Sequence, residues 1–149
     1  MSMFGALPIA GSGAEAMQAW IDTSAGNVAN MDDPAPVGTP TYGEQTPVLT
    51  PVGSAGAPGV PGVPGAAGPA QSAGTGVEVS RIVEGSTAGV VAYEPTNPLA
   101  NGQGEVLLPN VSLGTQLVGM IQAQETYQAD TVVMARAKDA YTAGLAIGS

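Results

Sequence analysis

Between residues 110 and 149, apolar or semi-apolar residues recur in steps of three and four, at Leu113, Leu117, Met120, Ile121, Tyr127, Met134, Tyr141 and Leu145. That spacing puts them on one face of a 3.6-residue helix. No proline follows Pro109, and only Gly114, Gly119 and Gly144 interrupt a run of good helix formers. The pattern predicts one long C-terminal helix over residues 111–149. Its seam is imperfect, because Gln124, Thr131 and Lys138 stand where a dimeric coiled coil prefers Leu or Ile. A helix of about 35 residues spans roughly 50 Å at ~1.5 Å per residue, whereas a compact chain of this length has a diameter near ~40 Å. The helix therefore needs a partner, inside the chain or from neighbouring copies.

A second stripe runs through residues 1–31, at Phe4, Leu7, Gly11, Ala14, Met17, Ile21, Ser24 and Val28, with Trp20 beside Met17 and Ile21. Steps of three and four again predict a helix. Pro8 removes a hydrogen bond to the carbonyl of Phe4, so the helix either starts just before it or kinks there. Gly11, Gly13 and Ala14 allow another helix to approach closely. Asn30, Asp32, Asp33 and Pro34 mark the stop, although two carboxylates at a helix C-terminus oppose the macrodipole.

Residues 32–76 break both rhythms. Nine of the 13 prolines fall there, with few large apolar residues beyond Val37, Tyr42, Val48, Leu49, Val52, Val60 and Val63, and the composition predicts an extended spacer. Five consecutive Gly-X-Y triplets, from Gly56 to Ala70, form a run too short and too poor in charge for a stable collagen helix. Across residues 77–110, short β-prone runs at Val77, Val79, Ile82-Val83, Val90-Val91-Ala92-Tyr93 and Val106-Leu107-Leu108 alternate with turn residues at Gly85-Ser86, Pro95 to Pro98 and Asn101-Gly102. They predict a hairpin or small antiparallel sheet of two to three strands, marginally stable alone.

Composition narrows the function. The 149 residues suffice for one domain, but 22 Gly and 13 Pro approach the low-complexity range. Only six aromatic residues are available for a core (Phe4, Trp20, Tyr42, Tyr93, Tyr127 and Tyr141). Twelve acidic residues face only Arg81, Arg136 and Lys138, giving a net charge of −9, and the first 80 residues hold no basic side chain. That balance argues against nucleic acid and against an anionic membrane surface. With no Cys and no His, the chain has no disulfide, thiol nucleophile, imidazole base or ordinary zinc site. Residues 1–14 lack the basic n-region of a cleaved secretory signal, and no run is long enough for a transmembrane helix.

No residue set supports catalysis, a cofactor or a metal. Gly11-Ser12-Gly13-Ala14-Glu15-Ala16 fits a loose dinucleotide pattern, yet Pro8 interrupts any preceding strand and a spacer follows in place of a βαβ unit. Small residues in a helix seam explain it better. Asp32-Asp33 before Pro34 reads as a solvated turn, with no further acids at calcium-loop spacing. The serines have no His partner.

Three segments in order carry a resemblance. Met1-Ser2-Met3-Phe4 followed by Ile9-Ala10-Gly11-Ser12-Gly13-Ala14 and by Ser24-Ala25-Gly26-Asn27-Val28-Ala29-Asn30 is similar to the N-terminal signature of bacterial flagellar axial proteins. Ala92-Tyr93-Glu94-Pro95-Thr96-Asn97-Pro98-Leu99-Ala100-Asn101, with Gly104-Glu105-Val106-Leu107-Leu108-Pro109-Asn110-Val111-Ser112, resembles the middle stretch of the FlgC family of proximal-rod proteins. Leu117-Val118-Gly119-Met120-Ile121-Gln122-Ala123-Gln124-Glu125-Thr126-Tyr127, with Ala137-Lys138, resembles that family's last helix. Asp32-Asp33-Pro34 stands where the family usually has a basic Thr-x-Gly-Tyr element, Glu125-Thr126 where it often has Arg, and Asp130 where it usually has Asn.

The resemblance implies a mainly α chain with a small β element. Long N- and C-terminal helices would pair in a coiled-coil-like core, with the extended spacer and the small β segment between them. It also implies a non-enzymatic structural subunit of the rod in the periplasm, polymerising helically and transmitting motor torque to the hook. Its partners would be copies of itself, other rod proteins, the inner-membrane ring base and the flagellar type III export apparatus, which would export it without a cleaved signal. Expected subunit contacts are Phe4, Leu7, Met17, Trp20, Ile21, Val28, Leu113, Leu117, Met120, Ile121, Tyr127, Met134, Tyr141 and Leu145, with Asn27, Val28, Ala29 and Asn30 as the axial motif. A distal-rod or hook component is the alternative within the class, against which Tyr93-Glu94-Pro95 and Pro109-Asn110-Val111 argue. A soluble helical adaptor is the alternative outside it.

Overall fold

The computed structural model describes residues 3–53 and 75–147, with side chains from residue 5 to 53 and from 75 to 146. The Gly-X-Y triplets and the side chain of Phe4 lie outside the described residues. Two long helices enclose four strands in sequence: α1 (Met3–Ala29), β1 (Gln45–Val52), β2 (Gly76–Glu84), β3 (Val90–Tyr93), β4 (Glu105–Leu108) and α2 (Leu113–Ile147). The chain is mainly α with a small β element. The strands form two two-stranded sheets, β1 with β2 and β3 with β4.

Local chemistry sets the helix ends. α1 starts five residues before Pro8 and runs through it; Pro8 lies just past the four leading donors that have no intrahelical acceptor, so it costs the one bond to the carbonyl of Phe4. The helix stops at Asn30, whose backbone N–H (3.2 Å) and side-chain Nδ2 (2.8 Å) both donate to the carbonyl of Gly26. The acidic pair and Pro34 then follow. Ser112 caps α2: its carbonyl accepts from Gln116 N–H at 3.0 Å and its Oγ from Thr115 N–H at 3.4 Å.

The spacer reading requires correction at its N-terminal half, because residues 45–52 form strand β1 and pair with β2. The carbonyls of Glu44 and Val52 accept from Gly85 N–H (2.7 Å) and Thr75 N–H (2.9 Å), so even-numbered residues of β1 turn toward β2. Pro47 and Pro51 are odd-numbered and turn away. A proline there costs no ladder bond, which is why an edge strand tolerates what a central strand rejects. The small sheet expected from residues 77–110 alone is accordingly two sheets, one of them completed from within the expected spacer.

β3 and β4 are antiparallel, pairing Val90 with Leu108, Val91 with Leu107, Ala92 with Val106 and Tyr93 with Glu105. Asn101 closes their connection, its Oδ1 accepting from the N–H groups of Gln103 (2.8 Å) and Glu105 (3.0 Å). Gly104 supplies the left-handed residue at φ +78°, the conformation glycine adopts at little cost. Beyond β4, Ala35 exchanges both backbone bonds with Leu107, at 2.8 and 2.9 Å.

The chain divides into two compact units. One comprises Met1–Met17, Leu49–Ser80 and Glu125–Ser149, and the other Gln18–Val48 and Arg81–Gln124. In the first, small residues of α1 meet α2: Gly11 faces the sulfur of Met134, and a Cβ added at Gly13 would overlap the Asp130 carboxylate. Ser12 Oγ accepts from Val77 N–H at 3.0 Å and donates to the carbonyl of Ile9 at 2.8 Å, tying α1 to β2. The Gly11-Ser12-Gly13 run thus lies inside a helix and serves packing. In the second unit Gly119 lies under Trp20 and Ser24, and the fully buried Val106 anchors β4.

Candidate functional site

The apolar stripe of α2 and its inward face overlap only in part. Gln116 and Ala123 are buried, and Gly119, Met120, Asp130, Thr131, Met134 and Ala137 are half-buried. Small and polar side chains dominate this set, so α2 comes close to its own chain without spending its bulky residues. Leu113, Leu117, Ile121, Tyr127, Tyr141 and Leu145 remain exposed, as do Val118, Val132 and Val133, which the stripe omitted. Met120 and Met134 are the two stripe residues of α2 that its chain half-covers. On α1, Met17, Trp20, Ile21 and Val28 are half-buried and Leu7 is exposed, while Ala10, Ala14, Ala16, Thr23, Ser24 and Asn27 are buried.

Side chains such as Leu and Val bring about 1.5–3 kcal/mol each when removed from water. An exposed row of them is unusual for a monomer and marks a surface built to be covered. Among the described residues no helix is long and apolar enough to cross a membrane.

Of the four axial-motif residues, Asn27 is 1 % exposed, Val28 and Asn30 are half-buried and Ala29 is exposed. Asn27 is the centre of a polar clamp. Its Nδ2 donates to the carbonyl of Gln45 (2.8 Å) and to Gln116 Oε1 (3.0 Å), and its Oδ1 accepts from Gln45 N–H (2.8 Å) and the Tyr42 hydroxyl (2.9 Å). All four hydrogen-bonding positions of the carboxamide are used. Gln116 extends the network by donating from Nε2 to Glu44 Oε1 at 2.7 Å. Burial raises the Tyr42 phenol above its usual pKa of 10.0, and the carboxylates of Glu84 and then Glu44 raise it further. No buried side-chain polar atom among the described residues lacks a partner.

Sequence reasoning missed Tyr42, Glu44, Gln45 and Gln116 as parts of one site. They lie between 15 and 89 residues from Asn27 along the chain, and only a buried Asn's need for partners hints at them. Beside the clamp an open groove of about 540 Å³ is lined by Trp20, Ser24, Pro47, Val118 and Gln122 among others. Among the described residues no three His, Cys, Asp or Glu side chains converge as metal ligands.

No family model matches the chain. It is 32% identical over 149 residues to "Flagellar basal-body rod protein FlgC" of Escherichia coli O6:H1, covering 99% of each chain. To the protein of that name in Bacillus subtilis it is 28% identical over 151 residues, again covering 99% of each. To that of Borreliella burgdorferi it is 30% identical over 152 residues, with 99% of this chain and 98% of the relative covered.

Proposed function

The chain belongs to the family of flagellar basal-body rod protein FlgC, and we propose that it works as a non-enzymatic structural subunit of the proximal rod, polymerising across the periplasm. The observation that carries this beyond membership is the division of labour on α2. Small and polar residues face its own chain, and Leu117, Val118, Ile121, Val132, Val133 and Leu145 are left exposed. Neighbouring subunits, copies of this chain and other rod proteins, cover that surface. Repetition of one heterologous contact by a screw operation generates an open helical array, the geometry a shaft needs to carry torque from motor to hook. The base of such an array meets the inner-membrane ring. Export through the flagellar type III apparatus, with the N-terminal residues as an uncleaved address, belongs to the same reading.

Deleting the gene in its host and imaging basal bodies by electron cryotomography tests the reading. The expected result is an inner-membrane ring without a rod and loss of swimming. Complete flagella in the deletion strain would overturn it.

A further inference from the structure

Two sheets of two strands give each strand one edge toward its partner and one edge away from it. The outer edges of β1 and β4 carry a cover or a block, and that of β2 carries one near its start. On β1, the Asn27 carboxamide takes both the N–H and the C=O of Gln45, and Pro47 and Pro51, turned the same way, have no N–H to offer. On β2, Ser12 Oγ accepts from Val77 N–H. On β4, Ala35 takes both backbone groups of Leu107.

β3 differs. Because Leu107 turns its N–H and C=O toward Ala35, its register partner Val91 turns its own away from β4. Glu94 N–H donates to the carbonyl of Gly104 at 2.8 Å, which fixes the same alternation from the other end. Val91 and Tyr93 therefore hold their backbone groups on the outer edge, where no described residue pairs with them. The side chains of Val90, Val91 and Tyr93 are 53, 58 and 73% exposed. An uncharged edge without proline invites a further strand, and proteins ordinarily guard against it.

We propose that the β3 edge is completed by an extended segment of a different, basic subunit, an inference that rests on the rod reading and names the partner's chemistry. Backbone bonds at Val91 and Tyr93 supply the pairing, and apolar residues at alternate positions of the incoming strand cover Val91. Charge selects the partner. At the Tyr93 end stands Glu94, whose carboxylate is bonded among the described residues only to Asn97, so a Lys or Arg on the added strand meets a carboxylate there. A second copy of this chain does not supply it. Its net charge is −9; Arg136 and Lys138 lie in helix α2, and Arg81 stands in β2 between Glu78 and Glu84.

The test places a photoreactive benzoylphenylalanine at Tyr93 and, in a second strain, at Val132 on the exposed side of α2, then purifies basal bodies after illumination. The Tyr93 probe is expected to cross-link to a different subunit, within an extended segment bearing Lys or Arg. Capture of a second copy, or no capture at Tyr93 while Val132 cross-links, overturns the proposal and leaves the rod reading intact. Absence of the chain from basal bodies overturns both. In parallel, Val91→Pro deletes one outward N–H while sparing the ladder bonds of Val90 and Ala92. It is expected to lower the number of complete basal bodies about tenfold with an unchanged circular dichroism spectrum, whereas Val91→Thr, which keeps the donor, assembles normally. Normal assembly of Val91→Pro overturns the proposal, and if that variant misfolds the Tyr93 cross-link decides.

Discussion

Asn27 shows at the scale of one residue how a polar side chain specifies a fold. Replacing it with Ala removes the partner of the N–H and C=O of Gln45, the Tyr42 hydroxyl and the Gln116 amide around a buried side chain. Each buried group left unpaired costs about 1–3 kcal/mol. Asn27→Ala is therefore expected to destabilise the isolated chain by roughly 3 kcal/mol, while Asn30→Ala, which loses one bond to Gly26 at a helix end, costs under about 1 kcal/mol; urea titration compares the two. Tyr42 adds a pH dependence. Its folded pKa lies above the usual 10.0, chiefly through burial and secondarily through Glu84 and Glu44, so the native state holds the phenolic proton longer than the unfolded chain does. The resulting stability is complete below pH 10 and is lost as pH rises through the folded value. Tyr42→Phe should lower the unfolding free energy from urea titration at pH 8 by the one lost bond, about 1 kcal/mol, and should flatten the decline of wild type between pH 9 and 11. An equally steep decline in the Phe variant would place the alkaline sensitivity elsewhere.

Between elements, the two faces of α2 separate stability from assembly. Gly119 lies under Trp20, its added Cβ reaching the indole Nε1 at 3.4 Å, so Gly119→Leu wedges α1 from α2 and is expected to cost about 1–3 kcal/mol as overpacking. Ile121, only two residues on, is 56% exposed; Ile121→Asp should change chain stability by no more than about 0.5 kcal/mol. Within the rod the same substitution puts an unpaired charge into a covered surface, and basal bodies should fail to form. If Ile121→Asp instead unfolds the chain, or rods form normally, the outer face has been misassigned. The difference between these faces also explains what the sequence made legible. The apolar period located α2 and β-branched runs located β2, β3 and β4, because those signals depend on bulk. The inward face of α2 is written in Gln116, Gly119, Ala123 and Asp130, which a count of apolar residues passes over. β1 was hidden by Pro47 and Pro51, which read as spacer until pairing shows that both turn away from β2. The Asn101-Gly102 turn was found, but its left-handed residue is Gly104, set by the Asn101 side chain. Nothing local announces the Asn27 clamp, since its partners come from two separate segments, residues 42–45 and Gln116.

For the whole molecule, the decisive quantity is how much order the chain keeps without neighbours. α1 has 27 residues and α2 has 35, and long helices draw most of their stability from tertiary packing. Residues near the end of α2 such as Thr142, Ala143 and Leu145 are exposed, so without neighbours the last turns bury little apolar surface to offset the entropy of ordering them. Circular dichroism of the dilute chain should therefore show less helix than α1 and α2 together require, with hydrogen exchange fastest toward Ile147 and slowest around Asn27, Val106 and Gln116. Salt then discriminates between partners. Copies carrying −9 repel, and screening weakens that repulsion as the Debye length falls from about 10 Å at 0.1 M to about 3 Å at 1 M, so self-association and helicity of the purified chain should rise together with salt. Binding of a basic strand at β3 should weaken over the same range. Full helicity in a dilute, low-salt monomer would mean that the chain completes its own fold, and the exposed face of α2 would then need another explanation than the subunits that cover it.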